Sequence, residues 1–255
     1  MKAFSNDIDQ KNELKQFQGK IQQFEKDYLL ARKREGRIYS DEIVSKLPAI
    51  DSGDKNHNEW KLRQQSTKNL LRYLRKKGKS LKILDIGCGN GWLSNKCAGI
   101  PGSYVVAIDV NSGELKQAKR VFGKPNLQFF HADIRSEEIN AMRFDIILFA
   151  ASVQYFQSLE ELILDSFKLL RPGGEIHIID SHFYEITEVD EARKRTKEYY
   201  ESVGTPGMID KYFHHEREQL EKFNYQILYK PSRIKQFFRK QNPFCWICIK
   251  KEQVK

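Results

Sequence analysis

The sequence of 255 residues predicts a doubly wound α/β domain. Three observations carry that prediction. From Leu81 onward, short apolar segments alternate with helix-patterned ones, as in a parallel sheet joined by crossover helices. The apolar segments are nearly continuous rather than alternating, which marks strands buried on both faces. The first of them runs straight into a glycine-rich turn and a helix start, LDIGCGNGWLS.

Taken in order, Leu14, Phe17, Ile21, Phe24, Tyr28 and Leu29 recur at spacings of three and four, so an amphipathic helix is expected from about 12 to 34, ending near Gly36. Residues 38–58 are less regular, and Pro48 with the polar run DSGDKNHN marks a loop. Trp60, Leu62, Leu70, Leu71 and Leu74 predict a second helix over 59–77, capped by Gly78. Strands follow at 81–87, 103–110, 127–133, 144–150 and 174–180, with helices starting at Trp92 and in SGELKQAKRVF and LEELILDSFKLL between them. A helical insert, 188–201 and then 214–223, interrupts the alternation. Two last strands, 225–230 and 244–251, are joined by PSRIKQFFRKQNP, too short for a crossover helix, so they are expected to be antiparallel. The organisation is one structural domain: a helical extension over 1–78 and a core over 79–255, with the insert at about 182–224.

Hydrophobic residues at 40% with 12% aromatics exclude a disordered chain. No window approaches the roughly 18 apolar residues of a membrane span, and the first residues lack a signal-peptide core, so no transmembrane segment and a cytoplasmic location are expected. Cys88, Cys97, Cys245 and Cys248 would be reduced there. Cys245 and Cys248 fall three apart in a predicted strand and face opposite sides, which argues against a redox or zinc pair. The net charge of +10 favours anionic partners. Interleaved acids in EARKRTKEYYE and HHEREQLEK, however, give it the texture of solvated helix faces.

In Gly87-Cys88-Gly89-Asn90-Gly91 the glycines permit positive φ and close backbone approach, and the helix start offers free amides. The spacing is G-x-G-x-G. Trp92 stands where a dinucleotide fingerprint has its third glycine, and no Lys-Ser/Thr follows, which excludes a P-loop. Asp85, Asp109 and Asp133 end or follow three consecutive strands, and Asp109 sits near the roughly 20-residue spacing at which an acid meets a ribose.

These residues resemble the motifs of class I S-adenosylmethionine-dependent methyltransferases. LDIGCGNG is similar to the first motif, Asp109 to the acid that takes the ribose hydroxyls, and HADI, with Asp133, to the adenine-contacting motif. FDIILFAASVQYF and LLRPGGEIHIID resemble the fourth and fifth, and the last two strands the terminal hairpin. The resemblance implies a seven-stranded Rossmann-like sheet with an antiparallel last strand. It implies S-adenosyl-L-methionine as cofactor, held by Asp85, Gly87, Cys88, Gly89, Gly91, Asp109, Val110, Asp133, Ile134, Ala150 and Ala151. Trp92 would begin the helix packed behind the loop.

Methyl transfer from a sulfonium is an in-line displacement, so the protein chiefly holds nucleophile, methyl and sulfur collinear. A base is needed only if the acceptor carries a proton. His182, just after strand five, is the candidate base, and Tyr155, after strand four, a candidate acid, base or cofactor wall. Gln154, Tyr39, His214 and His215 are candidate acceptor contacts. His214 and His215, adjacent on a predicted helix, point about 100° apart and have no third ligand at zinc spacing, so no metal is expected.

The resemblance places the acceptor lid in the N-terminal helices and the insert, whose aromatics Phe17, Phe24, Tyr28, Tyr39, Tyr199, Tyr200, Tyr212 and Phe213 would line it. Ala150-Ala151-Ser152-Val153 replaces the N/D-P-P-Y/F signature of adenine and amide methylation. A small-molecule acceptor in lipid, quinone, sugar or other metabolism is therefore the leading expectation. RNA or protein methylation, suggested by net charge and by the stretch RIKQFFRK, is second, and a non-catalytic cofactor-binding subunit third.

Overall fold

The structure is a computed structural model that describes residues 19, 21–78, 80–231 and 242–252. Its centre is a seven-stranded sheet in the order β3-β2-β1-β4-β5-β7-β6. The strands are β1 Lys82–Ile86, β2 Tyr104–Asp109, β3 Leu127–His131, β4 Phe144–Ala150, β5 Leu170–Ile179, β6 Tyr225–Tyr229 and β7 Trp246–Lys250. The first five are parallel, and β7 runs antiparallel to both β5 and β6.

Strands rich in Ile and Val bury both of their faces, so successive residues feed opposite cores. Ile83, Val105 and Ala107 join one core, with Trp60, Leu70 and Leu74 of helix α3 (His57–Lys76), Trp92 and Leu93 of α4 (Trp92–Ala98), and Leu115 and Phe122 of α5 (Ser112–Phe122). Leu84, Val106 and Ile108 join the other, with Ile139 of α6 (Glu137–Asn140) and Leu162 and Ile163 of α7 (Leu159–Leu169). The chain reverses its winding between β1 and β4, which opens a crevice at the carboxyl ends of those strands.

Two outer elements cover that crevice. The chain is helical over residues 21–34, here α1, and the insert contributes α8 (Val189–Ser202) followed by two 3₁₀ turns, Pro206–Lys211 and Arg217–Lys222, with a further 3₁₀ turn, Ile186–Glu188, leading into α8. They clasp each other through a small apolar cluster of Ala31, Tyr200 and Met208. An ion pair of Lys211 with Asp27 and a hydrogen bond from Tyr199 to Glu35 Oε1 at 2.9 Å join the same elements. Glu25 Oε1 accepts from the Ser112 amide at 2.8 Å and its hydroxyl at 2.7 Å, so α1 also caps α5.

Four expectations need correction. The stretch 38–58 contains a helix, α2 (Asp41–Lys46), because the Ser40 hydroxyl accepts the Ile43 amide and starts it. His214 and His215 precede the second 3₁₀ turn and are not helical, so their helical geometry does not apply. Helical structure in 214–223 is confined to Arg217–Lys222, where Glu216 and Gln219 form a reciprocal capping box. Cys245 lies before β7 rather than within it, and only Cys248 is a strand residue. Phe17 and the stretch RIKQFFRK lie outside the described residues.

Candidate cofactor and acceptor site

The turn after β1 is fastened to β2. The Gly87 and Cys88 amides both donate to Ile108 O, at 2.9 and 3.1 Å, and the Gly89 amide donates to Asp109 Oδ2 at 2.7 Å. Asp109 Oδ1 accepts the Asn111 amide at 2.7 Å. Each carboxylate oxygen thus keeps a second lone pair for a ligand hydroxyl. Burial raises the Asp109 pKa, while the amides of Gly89, Asn111 and Val110 pull it down. Asp85 is buried deeper; its Oδ2 accepts from Ser94 Oγ at 2.6 Å, and burial pushes its pKa up to about 6.

The loop glycines divide their work. All three have positive φ, but a Cβ on Gly87 would stand 2.6 Å from Ser152 Cβ, and one on Gly91 would stand 2.5 Å from the Phe129 ring. Those two glycines let the protein pack against itself. At Gly89 the missing side chain meets only the Glu114 carboxylate, at 3.2 Å, so this is the glycine that leaves room on the ligand side.

Three cavities surround the loop. An apolar one of about 500 Å³ is lined by Ile108, Asp109, Val110, Asp133, Ile134 and, from α1, Phe24 among others. A charged one of about 90 Å³ lies over the glycine turn and is walled by Asp85, Glu114, Arg32, Arg37 and Arg63. A third, of about 450 Å³, opens beneath the insert between Asp180, His182, Tyr184, Tyr199, Tyr200 and Tyr212. Ala151 and Tyr155 line all three.

The walls at that junction are strained or tightly held. Ala151 and Asp180 have φ of 53° and 55°, left-handed values for residues that bear a Cβ, and they directly follow β4 and β5. Such strain clusters where ligands bind. The Tyr155 ring is edged by Phe24, Tyr28 and Tyr212, with centroids at 5.7, 5.5 and 5.9 Å. Gln154 donates to Ala151 O at 2.7 Å and accepts from Ser181 Oγ at 3.2 Å. Asp180 accepts from Ser66 Oγ at 2.8 Å and from Asn242 at 3.2 Å, and burial raises its pKa.

The expected cofactor residues therefore converge. Asp85, Gly87, Cys88, Gly89 and Ala150 line the charged cavity, and Asp109, Val110, Asp133, Ile134 and Ala151 the apolar one. Gly91 caps α4 from behind, where Trp92 packs edge-on to Trp60 at 5.4 Å. His182 and Gln154 border the third cavity, where desolvation lowers the His182 pKa and its ring sits 4.3 Å from Tyr184.

The remaining candidates are held by other contacts. Tyr39 lines the charged cavity, but its hydroxyl accepts from Trp60 Nε1 and Asn56, which turns that group toward the core wall. His214 pairs with Thr196 Oγ1 at 2.8 Å and His215 with Val153 O at 2.9 Å; both face an outer groove, not the third cavity. Among the described residues, Glu175, His177 and Cys248 group closely enough to hold a metal. Both His177 nitrogens are engaged, by Glu175 and Trp246, and Glu175 also takes Lys77 at 2.8 Å, so the cluster closes on itself far from the crevice.

Sequence reasoning missed Arg32, Arg63, Glu114 and Asp180. Asp180 carried a signal, since it ends strand five at the ligand-binding edge. Glu114 carried a weaker one, a carboxylate in the first turn of the helix after Asp109, and the two arginines carried none.

Known proteins resemble this chain in sequence over part of its length and in fold. Residues 83–174 match the family model described as a methyltransferase domain. A malonyl-[acyl-carrier protein] O-methyltransferase of Priestia megaterium is 34% identical over 98 residues, 38% of this chain and 35% of that protein. One from Ilyobacter polytropus is 33% identical over 132 residues, half of each chain. The chain thus spans about a third to a half of the length of such curated relatives. Among solved structures, the YcgJ protein of Bacillus subtilis superposes with a TM-score of 0.55 at 15% identity, over 73% of this chain and all of that one. The plantazolicin methyltransferase BpumL, solved with a monoazolic desmethylPZN analog and S-adenosylhomocysteine (SAH), gives 0.54 at 16% identity, over 92% and 99%. At these identities the superpositions establish the fold.

Proposed function

We propose that this chain, which carries a class I S-adenosylmethionine-dependent methyltransferase core, transfers a methyl group to a small-molecule acceptor by in-line displacement. The observation that carries this reading is the meeting of three cavities at Ala151 and Tyr155. The apolar cavity has the size and lining for an adenosine, with Asp109 positioned to accept its ribose hydroxyls. The charged cavity suits the amino-acid end, and Gly89 leaves the room it needs. The cofactor supplies an activated methyl on a good leaving group. The chain's own residues bind it, exclude water with α1 and the insert, and orient the acceptor against Tyr155.

The third cavity is a tyrosine-lined recess beneath the insert, which supports a small acceptor over a nucleic acid or a protein surface. We read residues 1–78 and about 182–224 as the lid over the core. His182 is the proton acceptor in this reading, and the free cysteines accord with a reducing cytoplasm. No helix among the described residues is long and apolar enough to cross a membrane.

The test is transfer of labelled methyl from S-adenosylmethionine into fractionated cell extract. Label in the solvent-extracted small-molecule fraction supports the reading. Label confined to RNA or protein precipitates, or to none of the fractions, overturns the small-acceptor assignment.

A further inference from the structure

The charged cavity over the glycine turn holds two polar atoms with no hydrogen-bond partner among the described residues, Glu114 Oε2 and Arg32 Nε. A buried polar atom left unpaired costs about 1–3 kcal/mol, more when charged, so a native fold keeps one only for a reason. Neither atom is required by its own helix. The N-terminus of α5 is capped by Asn111, whose Oδ1 accepts the Glu114 amide at 3.0 Å. Among the described residues the Arg32 guanidinium pairs only with Glu35, at 3.5 Å, and lies 5.3 Å over the Tyr28 ring.

The other ionisable groups around the cavity already hold hydrogen-bond partners. Arg37 and Arg63 share Glu59, Asp85 is held by Ser94, and Asp109 by two amides. What is left is one carboxylate oxygen and one guanidinium nitrogen, of opposite charge and from different elements, α5 and α1. The space of about 90 Å³ is several times what a single ordered water needs. That is room for a compact head group carrying both charges.

We propose that Glu114 and Arg32 read the zwitterionic amino-acid head of the bound cofactor, Glu114 taking the ammonium and Arg32 the carboxylate. This rests on the functional reading above and extends it to how the site tells its cofactor from other adenosine derivatives. A nucleoside without the amino-acid head fills only the apolar cavity and leaves both atoms unpaired. Gly89 completes the arrangement, since any Cβ there would press on the Glu114 carboxylate. Burial pushes the Glu114 pKa up to about 7 against the pull of Arg32, a state that an arriving ammonium relieves.

The experiment is calorimetric titration of SAH and of 5′-methylthioadenosine, which shares the nucleoside but lacks the head, into wild type, Glu114→Gln and Arg32→Met. Wild type is expected to prefer SAH by about 100-fold or more. Each variant is expected to lose about 10- to 100-fold for SAH while binding 5′-methylthioadenosine within about threefold of wild type, which also certifies the fold of the pocket. Equal losses for both ligands would assign Glu114 and Arg32 to the nucleoside or to the scaffold and overturn the proposal, as would unchanged SAH binding. Wild type that binds neither ligand would instead overturn the functional reading itself.

Discussion

Asp109 accepts the Gly89 amide at 2.7 Å, so the end of β2 holds the centre of the glycine loop in place. One carboxylate thereby shapes the loop and lines the apolar cavity. Asp109→Ala is expected to weaken SAH binding by about 100-fold and to lower the melting temperature, because two backbone amides lose their acceptor. Calorimetry and thermal unfolding check the two effects separately, and an unchanged affinity would remove Asp109 from the site.

Gly91 and Gly78 both have positive φ, yet only Gly91 is crowded, with Phe129 and Ala118 in the way of a Cβ. Gly91→Ala is expected to cost about 2–4 kcal/mol, backbone strain plus overpacking. Gly78→Ala meets nothing within 4 Å and is expected to cost about 1 kcal/mol, from strain alone. Urea denaturation of the two variants measures the difference, and equal costs would contradict the packing role given to Gly91.

The Glu114 carboxyl is raised by burial from 4.5 to about 7, an effect that Arg32 and Arg63 ease and the Asp109 charge reinforces. Between those values the folded protein binds more protons than the unfolded chain. Its share of stability therefore falls as pH rises through that window. Glu114→Gln is expected to stabilise the ligand-free protein at pH 8 by about 1–3 kcal/mol while weakening the cofactor. Thermal unfolding of wild type and variant at pH 5 and pH 8 should show the gap only at the higher pH.

Burial lowers the pKa of His182, His214 and His215. The unfolded chain then gains protons first as pH falls below about 6.5, so docking of the insert weakens toward acid. His215 donates to Val153 O only through a ring nitrogen that carries its proton, and as the neutral form it needs no counter-charge. Proteolytic nicking within 182–224 should rise between about pH 8 and pH 5, and His215→Asn should flatten that rise. A pH-independent nicking rate would contradict the link.

His182→Ala is expected to lower turnover by about 10²-fold, the worth of a positioned base, with the cofactor KM unchanged. Single-turnover rates with labelled cofactor check this, and a wild-type rate would leave His182 with a packing role against Tyr184.

The sheet was legible in the sequence because its strands are continuous apolar runs and its first turn is written in glycine. β4, for instance, spans the expected 144–150. The loop's logic was less legible. Sequence treats Gly87, Gly89 and Gly91 alike, whereas Ser152 and Phe129, distant in the chain, decide that two of them serve packing. Glu114 was nearly illegible, and Arg32 wholly so, for the same reason. In a linear reading each is one more charge on a solvated helix face, and only the closure of α1 over α5 turns both toward the glycine turn. The histidine pair misled because a polar run resembling a helix is held as an extended segment by His215 on Val153 and by the Tyr184 amide on His215 O.

The most direct test of the central claim is a titration of S-adenosylhomocysteine into the wild-type chain. One saturable site with an affinity on the order of −8 kcal/mol, micromolar dissociation, is the predicted result. Absence of saturable binding to the folded protein would contradict the assignment of the crevice at Gly89 and Asp109 as a cofactor site.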